Sequence, residues 1–304
     1  MRLACSTRGL DLYPDRYGHS TPKTRARIFH WMRRAGFEAV EMEDRWCDAE
    51  SMSAAELAEL RAAAADAGVT LTLKLHYRDL HTPEIAAANE ASVLRAIQVA
   101  EAVGAPIVSI GLPTPPSALD AVARRIGRPW NGSGADLPDE AFTRTAAALR
   151  RLADAAADVG IDLSIELHQG SIVDNSIRLL RLLDLVDYAN VGANPDIANI
   201  LQTLPPPGET WREAIERLAA RANYWHVKNL RRIDIPGRSP FFIRRALHEG
   251  EIDYRWAVSV MQAAGFEGYV VIEGPGAGDH LRACEEGRMY IRYLLDENRR
   301  IYQE

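Results

Sequence analysis

The sequence has only three cysteines and no long apolar run, and both shortages limit what the protein can be. Cys5, Cys47 and Cys284 are an odd number in a long chain, which indicates a reducing compartment rather than a disulfide scaffold. No stretch approaches the ~20 apolar residues of a membrane span, and the first residues, MRLACSTRGLDLYP, lack the apolar length of a signal peptide. We therefore expect a cytoplasmic protein with no membrane partner.

Basic residues are fewer than acidic ones. Lys and Arg total 36 against 42 Asp and Glu, so the formal net charge is −6 and the sequence pI is about 5.8. An acidic balance argues against a nucleic-acid partner, whose phosphates attract basic surfaces. Apolar residues make up 47% of the 304 residues, which is enough for one large core.

The chain does contain a repeated local pattern, in which an alanine-rich helix is followed by a glycine and then by a short apolar strand. Glycine just past a helix permits the left-handed turn that closes the last carbonyl groups. The pattern occurs at Gly36, Gly68, Gly104, Gly160 and Gly265. Helix starts are predicted at Ser53, which forms a capping box with Glu56, and at Thr82, which precedes a proline.

The predicted strands are apolar almost throughout, which is typical of parallel strands covered on both faces. Eight of them lie near residues 2–6, 38–43, 69–75, 106–110, 161–166, 190–195, 223–227 and 269–273. Eight strand–helix units in about 250–300 residues are the size and rhythm of a TIM barrel. A doubly wound open sheet is the alternative, but no G-x-G-x-x-G follows the first strand. We predict an α/β fold, a (β/α)8 TIM barrel, as a single domain spanning residues 1–304.

Two long connections interrupt this rhythm. Residues 111–138 are rich in Pro, Gly and Asp and include Trp130. Residues 229–250 contain two phenylalanines and five arginines: Phe241, Phe242, Arg231, Arg232, Arg238, Arg244 and Arg245. Both connections follow a predicted strand, so we expect both at the C-terminal face of the barrel, where active sites are built.

Four predicted strands in the second half of the chain end on residues that can bind a metal. These are Glu166 after LSI, Asp196 after VGANP, His226 after YW and Glu273 after YVVI. A carboxylate or imidazole at the end of a buried run is costly unless it is paired or coordinated. Strand ends converge at the mouth of a barrel, and three carboxylates with one imidazole suit a single divalent ion. We expect Mn²⁺, Mg²⁺ or Co²⁺, with Zn²⁺ or Fe²⁺ as alternatives.

Each of these residues also has a purely structural interpretation. Glu166 and Glu273 could pair with buried arginines at the barrel rim. Asp196 could cap the helix that follows it, and His226 by itself could be an ordinary core histidine. Their succession on four consecutive strands favours the metal site over four separate structural roles.

The motifs around these residues resemble a known family, the xylose isomerase-like TIM barrels. This sugar phosphate isomerase/epimerase group also includes inosose dehydratases and endonuclease IV. The similar segments are IELHQG, GANPDIAN, YWHVKN and GEIDYRWAVSVMQAAGFEGYVVIEGPGAGD. The resemblance covers most of the chain and is strongest between residues 161 and 282.

The resemblance implies a catalytic role for Glu166 and Glu273, which would bind the metal and exchange protons with a small carbohydrate. The metal would chelate the carbonyl and the adjacent hydroxyl of that substrate. Arg232 stands where several sugar epimerases of the family place an arginine that contacts substrate oxygens. Further substrate-binding candidates at strand ends are His168, Lys74, His76 and Lys228, with Glu41 a weaker one. A solvated loop charge for Arg232, and barrel packing for the strand-end lysines, His76 and Glu41, are the structural alternatives.

Two positions depart from the family pattern. Asn199 stands where many members carry a second histidine, and Asn229 stands where an aspartate often follows H-x-K. Asn199 argues against a second metal. It also argues against DNA repair of the endonuclease IV type, which needs a trinuclear site with extra histidines. Strand four ends SIGLP without a histidine, and no D-x-H follows His226, which supports the same conclusion.

The sequence therefore predicts a metal-dependent isomerase or epimerase of a small sugar, sugar phosphate or polyol-derived ketone. A lyase of the inosose or 3-dehydroshikimate dehydratase kind is the alternative, because both reactions begin with the same proton abstraction. A barrel that binds ligands without catalysis is a third interpretation. A homo-oligomer, either a dimer or a tetramer, is compatible with all three.

Overall fold

Eight parallel strands form a nearly closed barrel surrounded by helices. The computed structural model describes residues 1–8, 10, 20–114, 133–203, 206–236, 240–275 and 278–303, without the side chains of residues 301–303. The barrel strands are β1 (Arg2–Ser6), β2 (Ala39–Glu43), β3 (Thr70–Leu75), β4 (Ile107–Ile110), β5 (Asp162–Glu166), β6 (Val191–Asn194), β7 (Tyr224–Val227) and β10 (Tyr269–Ile272). Each lies within one residue of the predicted bounds, and the predicted TIM barrel is confirmed.

Helices follow most of these strands and cover the outside of the barrel. They are α1 (Pro22–Arg34), α2 (Ala54–Ala67), α3 (Pro83–Val103), α4 (Asp139–Ala157), α5 (Ser176–Val186), α6 (Ala198–Gln202), α7 (Trp211–Leu218), α8 (Tyr254–Ala263) and α9 (His280–Gln303). The apolar core lies between the helices and the outward side chains of the strands. Among the described helices, none is both long and apolar enough to cross a membrane.

The inside of the barrel changes from apolar to polar along its axis. Its N-terminal end is filled by a cluster of six side chains: Ala4, Ala39, Ile107, Tyr224, Tyr269 and Val271. Toward the C-terminal end, the alternate residues of β2 and β3 become charged. Glu41 and Glu43 follow Ala39 on the inward face of β2, and Lys74 follows Thr72 on β3. The barrel therefore presents buried charges to its mouth.

Closure of the barrel is incomplete between β6 and β7. The remaining neighbours are joined by parallel ladders, whereas the described residues here share one isolated bridge, Ala193 to Ala222. A side chain completes the contact, because the backbone N–H of His226 donates to the Oδ1 atom of Asn194 at 2.8 Å. We call this boundary the β6–β7 seam.

The helix ends mostly follow the predicted signals. Gly68 and Gly104 adopt left-handed conformations just past α2 and α3, and Ser53 and Glu56 form the predicted capping box. Thr82 is the N-cap residue of α3, but its side chain makes no capping hydrogen bond. Asp79 instead stabilises the turn before the helix, since its Oδ1 atom accepts from the backbone N–H groups of His81 and Thr82, both at 2.9 Å.

The connection after β7 contains a β-hairpin that the sequence did not predict. β8 (Asn229–Ile233) and β9 (Phe241–Arg245) pair in antiparallel register at the C-terminal side of the barrel. In the other long connection, residues 115–132, with Trp130, lie outside the described residues, as does Arg238 of the hairpin loop.

Candidate metal centre

The structure brings together the four residues that the strand ends predict as metal ligands. Glu166 is the last residue of β5, His226 lies within β7, and Glu273 directly follows β10. Asp196 follows β6 by two residues. All four are buried, and one ligand atom of each lies within 4.8 Å of those of the other three.

His226 is at the centre of this group. Its Nδ1 atom is 3.3 Å from Oε1 of Glu166 and 3.2 Å from Oε1 of Glu273. Its Nε2 atom is 2.6 Å from Oε2 of Glu41, which lies across the barrel on β2. A hydrogen bond to Glu41 places a proton on Nε2 and leaves Nδ1 available to a ligand, the usual arrangement of a metal-binding histidine.

Buried cations neutralise the carboxylates of the site. Lys74 Nζ lies 2.5 Å from Oε2 of Glu166. Lys228 Nζ lies 2.5 Å from Oδ2 of Asp196 and 3.4 Å from Oε2 of Glu273. Buried carboxylates without such partners would destabilise the fold by several kcal/mol, roughly, so these lysines make the charged cluster tolerable.

Two arginines add to the positive charge around Glu273. The Nη1 atom of Arg8, two residues beyond β1, is 3.0 Å from Oε2 of Glu273. The Nη1 atom of Arg244 on β9 is 3.3 Å from the same oxygen. The hairpin therefore reaches the site through Arg244, and Glu273 has three cationic neighbours.

The pKa values of the three carboxyl groups are shifted in different directions. Burial raises the pKa of Glu166 and of Glu273, but Lys74 beside the first, and Lys228 and Arg8 beside the second, outweigh it and hold both pKa values well below their usual range. Burial also raises the pKa of Asp196, where Lys228 does not compensate and the value is about 6. Both glutamates are therefore ionised at neutral pH and can accept protons.

The donor set fits one divalent cation. Three carboxylates and an imidazole are ligands that Mg²⁺, Mn²⁺ and related ions accept. Oδ1 of Asp196 is buried without a hydrogen-bond partner, which is costly for a carboxylate oxygen unless something else binds it. This buried group of four residues can therefore hold a metal ion.

The predicted substrate-binding residues are distributed unevenly around the centre. Lys74 and Lys228 contact the three carboxylates of the centre directly, as described above. His168 lies beside Glu166, and burial lowers its pKa to about 4, so its imidazole is neutral. His76 lines a small cavity together with Glu166 and His168. The guanidinium of Arg232 pairs with Asp234 on the hairpin, at 3.0 Å, and not with the residues of the centre.

Sequence reasoning missed several residues around the site: Arg8, Glu43, Asp44 and Arg244. A signal existed for Glu43, because it repeats Glu41 two positions later and must share the inward face of β2. No comparable signal existed for Arg8 or Arg244, because both lie outside the barrel strands and their positions depend on tertiary contacts.

Known proteins resemble this chain in both structure and sequence. The chain resembles a xylose isomerase-like TIM barrel protein from Mycobacterium smegmatis, solved in complex with magnesium, with a TM-score of 0.80 and 23% identity over 98% of this chain and 97% of the other. It resembles an L-ribulose 3-epimerase with a TM-score of 0.74 and 16% identity over 99% and 97% of the two chains.

The sequence is 22% identical over 169 residues to an inosose dehydratase from Clostridium perfringens, and the match spans 51% of this chain and 56% of that relative. The chain thus covers about half the length of this curated relative. A family model, described as xylose isomerase-like TIM barrel, matches residues 29–294. Because that match covers most of the sequence, the chain belongs to the xylose isomerase-like TIM barrel family.

Proposed function

We propose that this protein is a divalent-metal-dependent isomerase or epimerase of a small sugar, sugar phosphate or related polyol ketone. The observation that carries the proposal is the placement of two ionised carboxylates, Glu166 and Glu273, about one imidazole nitrogen of His226 in a buried centre. Two carboxylates at one centre suit removal of a proton from one face of a carbon and its return to another position or face.

Glu166, Asp196, His226 and Glu273 would hold the ion, for which we propose Mn²⁺, Mg²⁺ or Co²⁺. When bound, such an ion polarises a substrate carbonyl and stabilises the negative charge that develops after deprotonation. This stabilisation is needed because a carboxylate, with an ordinary pKa near ~4.3, is too weak a base to remove a proton from a C–H bond without it.

The residues of the chain itself would orient the substrate and move its protons. Oε1 of Glu166 and Oε1 of Glu273 are the proton acceptors that face the centre. Lys74 and Lys228 hold the other oxygens of the ligands and supply cationic donors for substrate hydroxyl groups. Their burial keeps water from competing for those contacts.

A lyase is the second candidate. The specific observation in its favour is the sequence match to an inosose dehydratase, although the match covers only half of this chain. Elimination begins with the same removal of a proton next to a carbonyl, and only the fate of the resulting anion differs. The two candidates therefore share the centre described above and differ in the product.

The test measures proton exchange and product mass in one experiment. The Mn²⁺-loaded protein is incubated in D2O with D-fructose, D-tagatose or inosose, and NMR follows the loss of the proton next to the carbonyl. We expect exchange with at least one probe, with a product that retains all the oxygens of the substrate for an isomerase and that has lost one water for a lyase, after allowance for the deuterium incorporated. Glu273→Gln should reduce exchange by roughly 100- to 10,000-fold while the fold is retained.

The control variant is Glu267→Gln. Glu267 precedes the same strand, but it is exposed at the other end of the barrel, where it pairs with the terminal amine of Met1. Its exchange rate should equal that of the unchanged protein. Undiminished exchange in Glu273→Gln, or no exchange with any probe and any of the three ions, would contradict the proposed function.

A further inference from the structure

A second cluster of titratable side chains lies at the mouth of the barrel, at the ends of β2 and β3. Asp44 holds His76 twice: its Oδ1 atom is 2.7 Å from the ring Nδ1, and its Oδ2 atom accepts from the backbone N–H of His76 at 3.0 Å. Contact with a carboxylate places a proton on Nδ1. The other ring nitrogen, Nε2, faces Glu43, whose Oε2 atom is 3.5 Å away.

The His76 residue and Glu166 of the candidate metal centre line the same cavity. His76 and Tyr77 line one side of a small cavity, and Glu166 and His168 line the other. Gly111 lies between the two sides, and a Cβ atom there would be 3.7 Å from Oε2 of Glu166 and 3.6 Å from the backbone nitrogen of Tyr77. A side chain at Gly111 would therefore contact both the backbone of Tyr77 and the carboxylate of Glu166 beside this cavity.

The cluster and the four ligands occupy opposite sides of the mouth. The ligands belong to β5, β6, β7 and β10, whereas Asp44 and His76 follow β2 and β3. His76 is also two residues beyond Lys74, which contacts Glu166, so its backbone lies about 6–7 Å nearer the mouth. A substrate held at the centre by its carbonyl would thus present a more distant oxygen to His76.

The surrounding residues hold the imidazole firmly in this position. Arg78 pairs with Asp44 at 3.1 Å and with Glu50 at 2.7 Å, which fixes the carboxylate that grips His76. Tyr77 has a φ of 53°, a left-handed conformation that is rare for an aromatic residue. Such backbone strain is concentrated at functional sites, and here it directly follows His76.

We propose that His76, held by Asp44, donates a proton from Nε2 to a substrate hydroxyl that leaves as water. The inference rests on the proposed removal of a proton next to the carbonyl, which both candidate functions share, and it favours the lyase of the two. A proton donor placed far from the carbonyl is not needed for epimerisation at the neighbouring carbon, but departure of a hydroxyl group requires one.

The step balances without an oxidant or reductant. A carboxylate of the centre accepts the proton of the C–H bond, and the electron pair of that bond becomes the new C=C bond. The C–O bond at the next carbon breaks, and its electron pair takes the proton from Nε2, so that water leaves. The imidazolium becomes a neutral imidazole with its remaining proton on Nδ1, toward Asp44, and Glu43 is placed to return a proton to Nε2.

The test separates the two half-reactions in a His76→Asn variant. The asparagine amide can still donate to Asp44 from the position of Nδ1, but it has no equivalent of Nε2. With the Mn²⁺-loaded protein and inosose in D2O, NMR measures exchange of the proton next to the carbonyl, and mass spectrometry measures loss of water. We expect exchange within about threefold of the unchanged protein and water loss reduced by at least about 100-fold.

His81→Asn is the matched control. His81 is also a buried histidine whose Nδ1 pairs with an aspartate, Asp79 at 2.9 Å, but it is outside the residues that line the cavity. It should leave the ratio of water loss to exchange unchanged. His76→Gln, compared by its melting temperature, serves as a second variant should His76→Asn fold poorly.

The outcomes are distinguishable from failure of the proposed function. If His76→Asn loses exchange and water loss in equal measure, or neither, the inference is wrong, while the proton abstraction that both candidate functions share stands. If the unchanged protein exchanges the proton without losing water, the inference is wrong and the isomerase proposal stands. If the unchanged protein exchanges no proton with inosose, D-fructose or D-tagatose, the proposed function and the inference both fail.

Discussion

Glu41 is the residue on which the geometry of the candidate centre most depends. It is fully buried, and its Oε2 atom lies 2.6 Å from Nε2 of His226. A carboxylate behind a metal-binding histidine fixes the orientation of the ring and makes the free nitrogen a stronger ligand. Replacing Glu41 with Gln should therefore weaken Mn²⁺ binding by roughly 10- to 100-fold, as measured by titration calorimetry on the apoprotein.

Glu43→Gln is the control for this prediction. Glu43 is also buried on β2 and carries the same charge, but it accepts from Ser6 Oγ at 3.1 Å and lies near His76 instead of His226. Loss of a negative charge alone would weaken cation binding in both variants. Equal losses in Glu41→Gln and Glu43→Gln would show that charge, and not support of His226, accounts for the effect.

At the level of single residues, the sequence predicts which four residues meet at the candidate centre better than it predicts their partners. Glu166, Asp196, His226 and Glu273 can be identified because each ends a buried run, where a titratable group requires an explanation. Arg8 and Arg244 cannot, because exposed arginines are common and only the folded chain brings these two to Glu273.

At the level of secondary-structure elements, Asp79 stabilises the turn that leads into α3, where the sequence predicts a capping side chain from Thr82 that is not observed. Burial raises the pKa of Asp79, but hydrogen bonds from His81 and Thr82 outweigh it and lower the pKa to about 2, from an ordinary value of 3.8. Replacing Asp79 with Asn should lower the free energy of unfolding by about 1–2 kcal/mol at pH 7, measured by urea denaturation.

The pH dependence of this effect follows from the direction of the shift. Because the pKa is lower in the folded state, the contribution of Asp79 is complete well above pH 3.8 and is lost as the pH falls toward about 2. The difference between the two proteins should therefore shrink at pH 3. The control is Asp48→Asn, since Asp48 precedes a short 3-10 helix without a capping hydrogen bond. A difference for Asp79→Asn that persists undiminished at pH 3 would contradict the assignment.

The hairpin shows where prediction of elements fails. The strands of the barrel are continuous apolar runs, whereas β8 and β9 each contain two adjacent arginines, and β9 exposes Phe241 and Ile243. Charge density in residues 229–250 indicated a loop, although the pairing of Arg231 with Ile243 is regular antiparallel structure. Neither NLRRI nor FFIRR alternates apolar with polar residues, so the usual sequence signal of a half-buried strand was absent.

At the level of the whole molecule, eight successive apolar strands make the barrel predictable, while its closure depends on particular side chains. Ladders join every neighbouring pair of strands except β6 and β7 in the described part of the chain. At this seam the Asn223 amide donates to the carbonyl of Leu163 at 2.9 Å, and a Cβ atom at Gly192 would lie only 2.4 Å from the side chain of Asn223. No sequence pattern predicts contacts of this kind, because they exist only once the barrel has closed.

An ion shared by the four ligands would bridge this seam, because Asp196 follows β6 and His226 lies on β7. Binding at 100 times the dissociation constant stabilises a protein by about 2.7 kcal/mol, which corresponds to a rise in melting temperature of about 5 °C for a chain of this size. We expect that rise on adding Mn²⁺ to chelator-treated protein, measured by scanning calorimetry.

Amide hydrogen exchange should locate the stabilisation at the seam. The N–H of His226 and the N–H of Asn223, which donates to the carbonyl of Ala193 at 3.2 Å, join the two sides. Their protection should increase with Mn²⁺ more than that of the β1–β2 ladder, because an ion that bridges β6 and β7 suppresses local opening there. His226→Asn, which removes one ligand, should abolish both the rise in melting temperature and the added protection. Equal stabilisation in that variant would mean that the ion binds elsewhere on this acidic protein.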